Sequence, residues 1–259
     1  MTDSPSSAPR RGVRRGIYAL PALFTAGNIL CGYLSLDAST QGAFEYAAKL
    51  VFLAAILDGL DGRIARWTGT TSAFGEQLDS LADIVSFGVA PAFLVYRWGL
   101  TNFGRAGLVA SFLFVVCGAS RLARFNVQIH VVDKRWFVGL PIPSAAGALC
   151  ALVWAVPASA LRDSLRALFL AVTVVLAFLM VSTFRYRSFK DADVKSRRGR
   201  LYFLLFAAVL GLIFWLRQYA LAGLLVTYAA SAPLVRLFGI LRPKPASAYA
   251  GPPTGKRPS

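Results

Sequence analysis

Long apolar blocks alternate with short polar segments along almost the whole chain. Runs near 17–37, 44–65, 79–98, 106–125, 143–160, 166–184, 201–216 and 219–240 are each close to the length needed to cross a bilayer. The pattern predicts eight transmembrane helices. The second, third and fourth carry charged residues, and the 143–160 and 201–216 blocks are short. Strict alternation of the kind that marks barrel strands is absent. Helices, which satisfy their own backbone groups in lipid, are therefore the expected elements.

Composition sharpens this picture. Of 259 residues, 56% are hydrophobic and only 15% charged, against about 25% charged in a typical soluble domain. Such hydrophobicity excludes disorder for most of the chain. The net charge of +16 comes from basic residues set between apolar blocks, not from one polar patch, so a basic-loop membrane protein is expected and no nucleic-acid partner. With the N-terminus inside, 22 of the 28 Lys and Arg residues fall on the cytoplasmic side and six outside. This bias predicts both termini inside and an even number of spans. Residues 1–16 and 241–259, rich in Pro, Ser, Gly and basic side chains, read as cytoplasmic tails around one membrane domain over 17–240. The first 16 residues are polar and Arg-rich and the following run lacks a small-residue cleavage site, so no cleavable leader is expected. Cys31, Cys117 and Cys150 are widely spaced inside apolar runs. They form neither a disulfide framework nor a zinc pattern.

Five of the twelve acids lie between Asp58 and Asp83, in DGLDGRIARWTGTTSAFGEQLDSLAD. Asp58 and Asp61 are i,i+3 near the inner end of the second span. Asp79 and Asp83 are i,i+4 at the start of the third. Each spacing puts a pair on one helix face. Residues 67–77 have turn composition, with Thr68, Gly69, Thr70, Thr71, Ser72 and Gly75. The two helices are expected to fold back antiparallel and bring four carboxylates together. An ionised Asp at mid-span costs about 2.5–3.5 kcal/mol on insertion scales, less near the interface. Four of them need compensation, and hard divalent cations such as Mg²⁺ or Mn²⁺ suit an all-oxygen donor set. Two ions bridged by carboxylates are the usual arrangement for phosphoryl transfer. Gly62 and Ala65 leave room for a bulky ligand. Arg66, four residues after Gly62, offers a planar fork to a diphosphate, and Thr71 and Ser72 offer hydroxyls.

The run Asp58-x-x-Asp61-Gly62-x-x-Ala65-Arg66, eight residues, then Gly75-x-x-x-Asp79-x-x-x-Asp83 resembles the signature of the CDP-alcohol phosphatidyltransferase family at every fixed position. The segments at 20–36, 74–92, 121–127 (RLARFNV), 137–147 (FVGLPIPSAAG) and 180–190 (MVSTFRYRSFK) are similar to the phosphatidylserine synthase branch of that family. The resemblance implies an all-helical membrane fold and a reaction in which CDP-diacylglycerol and L-serine give phosphatidylserine and CMP. It further implies that Asp58, Asp61 and Asp79 hold the metals, and that Asp83 binds the second metal or acts as base. Gly62, Arg66 and Ser72 would contact CDP-diacylglycerol, with Thr25 and Asn28 of the first span as further nucleotide candidates; ordinary helix–helix polar contacts are the other reading of those two.

A serine zwitterion needs a cation for its carboxylate. Arg121 and Arg124, i,i+3 at the inner end of the fourth span, share a face and are the candidates; topology anchoring or phosphate contact is the alternative. Asn126, Ser86 and Glu76 are further candidates there. His130, the only histidine, sits in a loop and has no assigned part. The basic run at 185–200 acts as a topology determinant, as an attractor of anionic lipid, or as both. Small-residue helix faces leave a homodimer open. Another acceptor (glycerol phosphate, inositol phosphate or choline) keeps the chemistry and changes the product. An ion-coupled transporter is the alternative of a different class.

Overall fold

The computed structural model describes residues 11–69, 72–128 and 136–187, together with seven positions between 223 and 233. Its elements are helical except for one short strand pair. Helices α1 (Arg11–Thr40) and α2 (Phe44–Thr68) pack against each other along most of their length. The turn between them has a clear cause. Ala43 N donates to Ala38 O at 2.9 Å and Gly42 N to Ser39 O at 3.4 Å. These two bonds close a helix through one residue at positive φ, and Gly42, at φ +77°, adopts that conformation without a Cβ penalty.

The next membrane helix is continuous but not uniform. It comprises α3 (Ala73–Asp83), a π-helical turn at Ile84–Val89, and α4 (Ala90–Trp98). Pro91 supplies no backbone N–H, and its ring crowds the preceding turn, so the helix opens just where Pro91 requires it to. The widened turn buries Ser86, Phe87 and Gly88. Ser86 Oγ donates to the Asn28 carbonyl of α1 at 2.9 Å. Gly32 permits the approach, because a Cβ there would sit 2.6 Å from Ser86 Oγ and 3.0 Å from Ser86 Cα.

Helix α5 (Arg105–Gln128) pairs with α7 (Asp163–Val181). Between these pairs lies α6 (Ile142–Ala155), with ten of its fourteen residues buried. A helix apolar on all sides belongs in the interior. At fourteen residues, about 21 Å, it falls short of the bilayer's hydrocarbon core, about 30 Å. The expected 143–160 span is thus corrected to a shorter helix ending at Ala155. Likewise, the link expected over 67–77 contracts, since α2 runs to Thr68 and α3 starts at Ala73. Among the described residues, three helical segments are long and apolar enough to cross a membrane: Ala73–Trp98, Arg105–Val127 and Asp163–Val181. The spans expected at 201–216 and 219–240 lie outside the described residues, apart from those seven positions.

The strand pair was not foreseen. β1 (Trp136–Val138) and β2 (Arg185–Arg187) are antiparallel, with Phe137 opposite Tyr186. Three residues are too few for a periodic signal. Beyond β1, Gly139 N donates to Phe184 O at 2.8 Å and Leu140 N to Leu179 O at 3.0 Å, so the backbone before α6 is clasped to the end of α7. Gly139 stands at φ +80°, and a Cβ there would strike the Met180 carbonyl and lie 2.8 Å from Arg124 Nη2. Gly139→Ala is expected to lower the thermal midpoint of the detergent-solubilised protein, with backbone strain alone contributing about 1–3 kcal/mol. An unchanged melting curve would show that the clasp does not contribute to stability.

Candidate metal centre

The four signature aspartates lie in the C-terminal half of α2 and the second half of α3, on the end of the bundle that also holds the last turns of α5 and the clasp. Oxygens of Asp58, Asp61 and Asp79 lie within 4.8 Å of one another. Asp79 and Asp83 both come within side-chain hydrogen-bonding reach of Asp58. The i,i+3 and i,i+4 pairs therefore face each other across a short turn. That turn is set locally: Ser72, extended at φ −138° and ψ 150°, caps α3 by accepting from Gly75 N at 3.0 Å. A Cβ on Gly75 would come 3.2 Å from the capping oxygen, so the signature glycine suits the cap.

Asp61 is the most enclosed of the four, at 4% exposure. Thr25 Oγ1 of α1 donates to Asp61 Oδ2 at 2.9 Å, which fixes the carboxylate. Asp79 Oδ1 and Asp83 Oδ1 are buried without a hydrogen-bond partner. Orphaned carboxylate oxygens facing an all-oxygen cluster are what a hard divalent cation would satisfy, and the residues fit such an ion. Beside them, nothing lies within 4 Å of where a Gly62 Cβ would stand, so the backbone is open to a ligand there.

The remaining candidates divide. Asn28, one helical turn from Thr25, is completely buried, and neither its Oδ1 nor its Nδ2 has a partner. The side chain of Arg66, like His130, lies outside the described residues. Ser72 is exposed and its hydroxyl oxygen serves the cap. Arg124 donates from Nη1 to Val181 O at 3.1 Å and from Nη2 to Met180 O and Ser182 O at 3.4 and 3.3 Å, capping the C-terminus of α7. Arg121 is buried at 7% exposure, with its guanidinium 5.5 Å from the Phe125 ring centroid. Glu76 is exposed, and Ser86 serves the α1 contact described above. Asn126 Nδ2 donates to Ser80 Oγ at 2.9 Å. Sequence reasoning missed the Asn126–Ser80 and Arg124–α7 contacts. Each joins residues more than forty positions apart, and no local spacing signals such a pair.

This architecture is that of an α-helical membrane protein with an oxygen-donor cluster at one end of its bundle. The CDP-alcohol phosphatidyltransferase family model matches residues 18–181. Among curated relatives, the CDP-diacylglycerol–serine O-phosphatidyltransferase of Helicobacter pylori is 44% identical over 200 residues, covering 76% of this chain and 82% of that protein. The enzyme of the same name from Bacillus subtilis is 33% identical over 66% of this chain and 91% of its own length. The archaetidylserine synthase of Methanothermobacter thermautotrophicus is 38% identical over 65% and 69%. The chain belongs to the CDP-alcohol phosphatidyltransferase family.

Proposed function

We propose that this protein transfers the phosphatidyl group of CDP-diacylglycerol to the hydroxyl of L-serine, giving phosphatidylserine and CMP. The observation that carries this reading is the meeting of Asp58, Asp61 and Asp79 within 4.8 Å, beside Asp83 and an open Gly62 backbone. The relatives support serine as acceptor, since the names of all three specify serine while the lipid differs in one.

In the reaction, the serine hydroxyl oxygen bonds to the phosphatidyl phosphorus, and the bond from that phosphorus to the oxygen retained by CMP breaks. Asp58, Asp61 and Asp79 would hold two Mg²⁺ or Mn²⁺ ions, with Asp83 reaching the second. When bound, such ions neutralise the diphosphate and the charge left on CMP. Asp83 takes the serine proton as attack begins. Thr25 orients Asp61. Gly62 lets the diphosphate approach, Arg66 and Ser72 would contact it, and Asn28 offers its unpaired carboxamide to the nucleotide. Arg121, buried near the inner end of α5, is the candidate for the serine carboxylate. Arg124, already on the α7 carbonyls, would act with it by fixing that end of the bundle.

The charge bias supports a site at the cytoplasmic face of the cell membrane, within a domain over 17–240 of eight apolar helices, the short α6 enclosed by the others, with tails 1–16 and 241–259 inside. There, serine and CMP exchange with water while the acyl chains stay in lipid. The exposed apolar stripe Leu108, Phe112 and Val116 on α5 offers a face for a second copy. An acceptor panel tests the reading. Purified protein with CDP-diacylglycerol and Mg²⁺ or Mn²⁺ is expected to release CMP with serine and not with glycerol 3-phosphate, inositol phosphate or choline. Release with one of the others instead moves the protein to that branch, and release with none overturns the transferase reading.

A further inference from the structure

Helix α3 carries Asp79 and Asp83, yet Ala82 is its only buried residue, and its first turn, from Ser72 to Gln77, is exposed. Apolar packing therefore holds the first turns of this helix weakly, while the π turn and α4 that continue it are buried, and two of the four carboxylates depend on its position. The last turns of α5 are better fixed, because Arg124 ties them to three carbonyls at the end of α7. From this anchored end, Asn126 Nδ2 reaches Ser80 Oγ at 2.9 Å, and Ser80 Oγ donates on to Glu76 O at 3.0 Å. Helical spacing puts Ser80 about 100° around α3 from Asp79 and about 60° from Asp83, on the flank of the acidic face. The Ser80 hydroxyl thus both accepts and donates within a relay that begins on α5.

We propose that Asn126 is a positioning residue for the metal centre, acting through Ser80 to set the rotation and depth of α3 and so the convergence of Asp79 and Asp83 on Asp58. This role differs from a direct contact with serine, and it rests on the metal-dependent reading above. Groups that hold metal ligands in place commonly change metal affinity or activity by about 10–100-fold when removed, whereas a bond that only stabilised the bundle would move the melting point and leave metal affinity alone.

The test uses the full-length protein in detergent. Mn²⁺ is titrated and read two ways, as the rise in thermal midpoint without substrates and as CMP release at saturating serine. Asn126→Ala and Ser80→Ala are each expected to raise the half-saturating Mn²⁺ concentration about tenfold by both readouts, with the serine KM within about twofold of the parent. The double variant is expected to match either single one, because one bond is lost in all three. Ser80→Thr, which keeps the hydroxyl, is expected to behave like the parent. A lower metal-free melting point with unchanged Mn²⁺ half-saturation overturns the proposal in favour of a structural tie. A raised serine KM alone overturns it in favour of a substrate contact. If Mn²⁺ fails to stabilise even the parent protein, the metal reading falls and this inference with it.

Discussion

Asp83→Asn is expected to lower CMP release by about 10²–10⁴-fold, the usual contribution of a positioned general base, while the protein stays folded. The amide has the shape of the carboxylate, so α3 and the π turn that follows keep their packing. What changes is the capacity to take a proton and to reach a cation. Asp83 is adjacent to Asp58, and its Oδ1 is buried without a hydrogen-bond partner. Turnover under saturating Mg²⁺ or Mn²⁺, measured beside thermal unfolding, checks the expectation. Near-normal turnover in Asp83→Asn would remove Asp83 from the mechanism and leave proton transfer to another group.

Removal of divalent ions is the second large effect. Two unit charges 4 Å apart repel by about 4 kcal/mol at an effective dielectric near 20. Three carboxylates with oxygens within 4.8 Å, and a fourth adjoining them, face such repulsions wherever they are ionised, and without cations they must either bear them or take up protons. EDTA is therefore expected to abolish CMP release and to lower the thermal midpoint, and added Mg²⁺ or Mn²⁺ to restore both. The relative potency of the two ions identifies the physiological one. Full activity in excess chelator would leave the carboxylates with a different role and defeat the two-ion mechanism.

How much of this was legible in the sequence depends on the range of the interaction. Helices α1, α2, α5 and α7 follow from apolar runs, and their placement comes within a few residues of expectation except at the N-terminus of α1. The acidic face was legible for the same reason: i,i+3 and i,i+4 spacings are properties of a single helix. The π turn was harder, since Pro91 signals a disturbance without stating its form. The β1–β2 clasp left no trace, because three residues carry no period and their partners lie about fifty positions away. Arg124 shows the limit most clearly. Spacing paired it with Arg121 as a substrate contact, while the fold gives its guanidinium to the carbonyls of α7.

By itself, then, the sequence determined that the chain is helical and suited to a membrane, which helices bear the carboxylates and which face each pair occupies, since hydropathy and helical periodicity act over one or two turns. The tertiary structure alone decided that the two acidic faces meet, that Thr25 bonds to Asp61, and that Asn126 reaches Ser80. Those contacts depend on the angle and depth at which helices cross, and such quantities come from the packing of many side chains together, Gly32 against Ser86 among them.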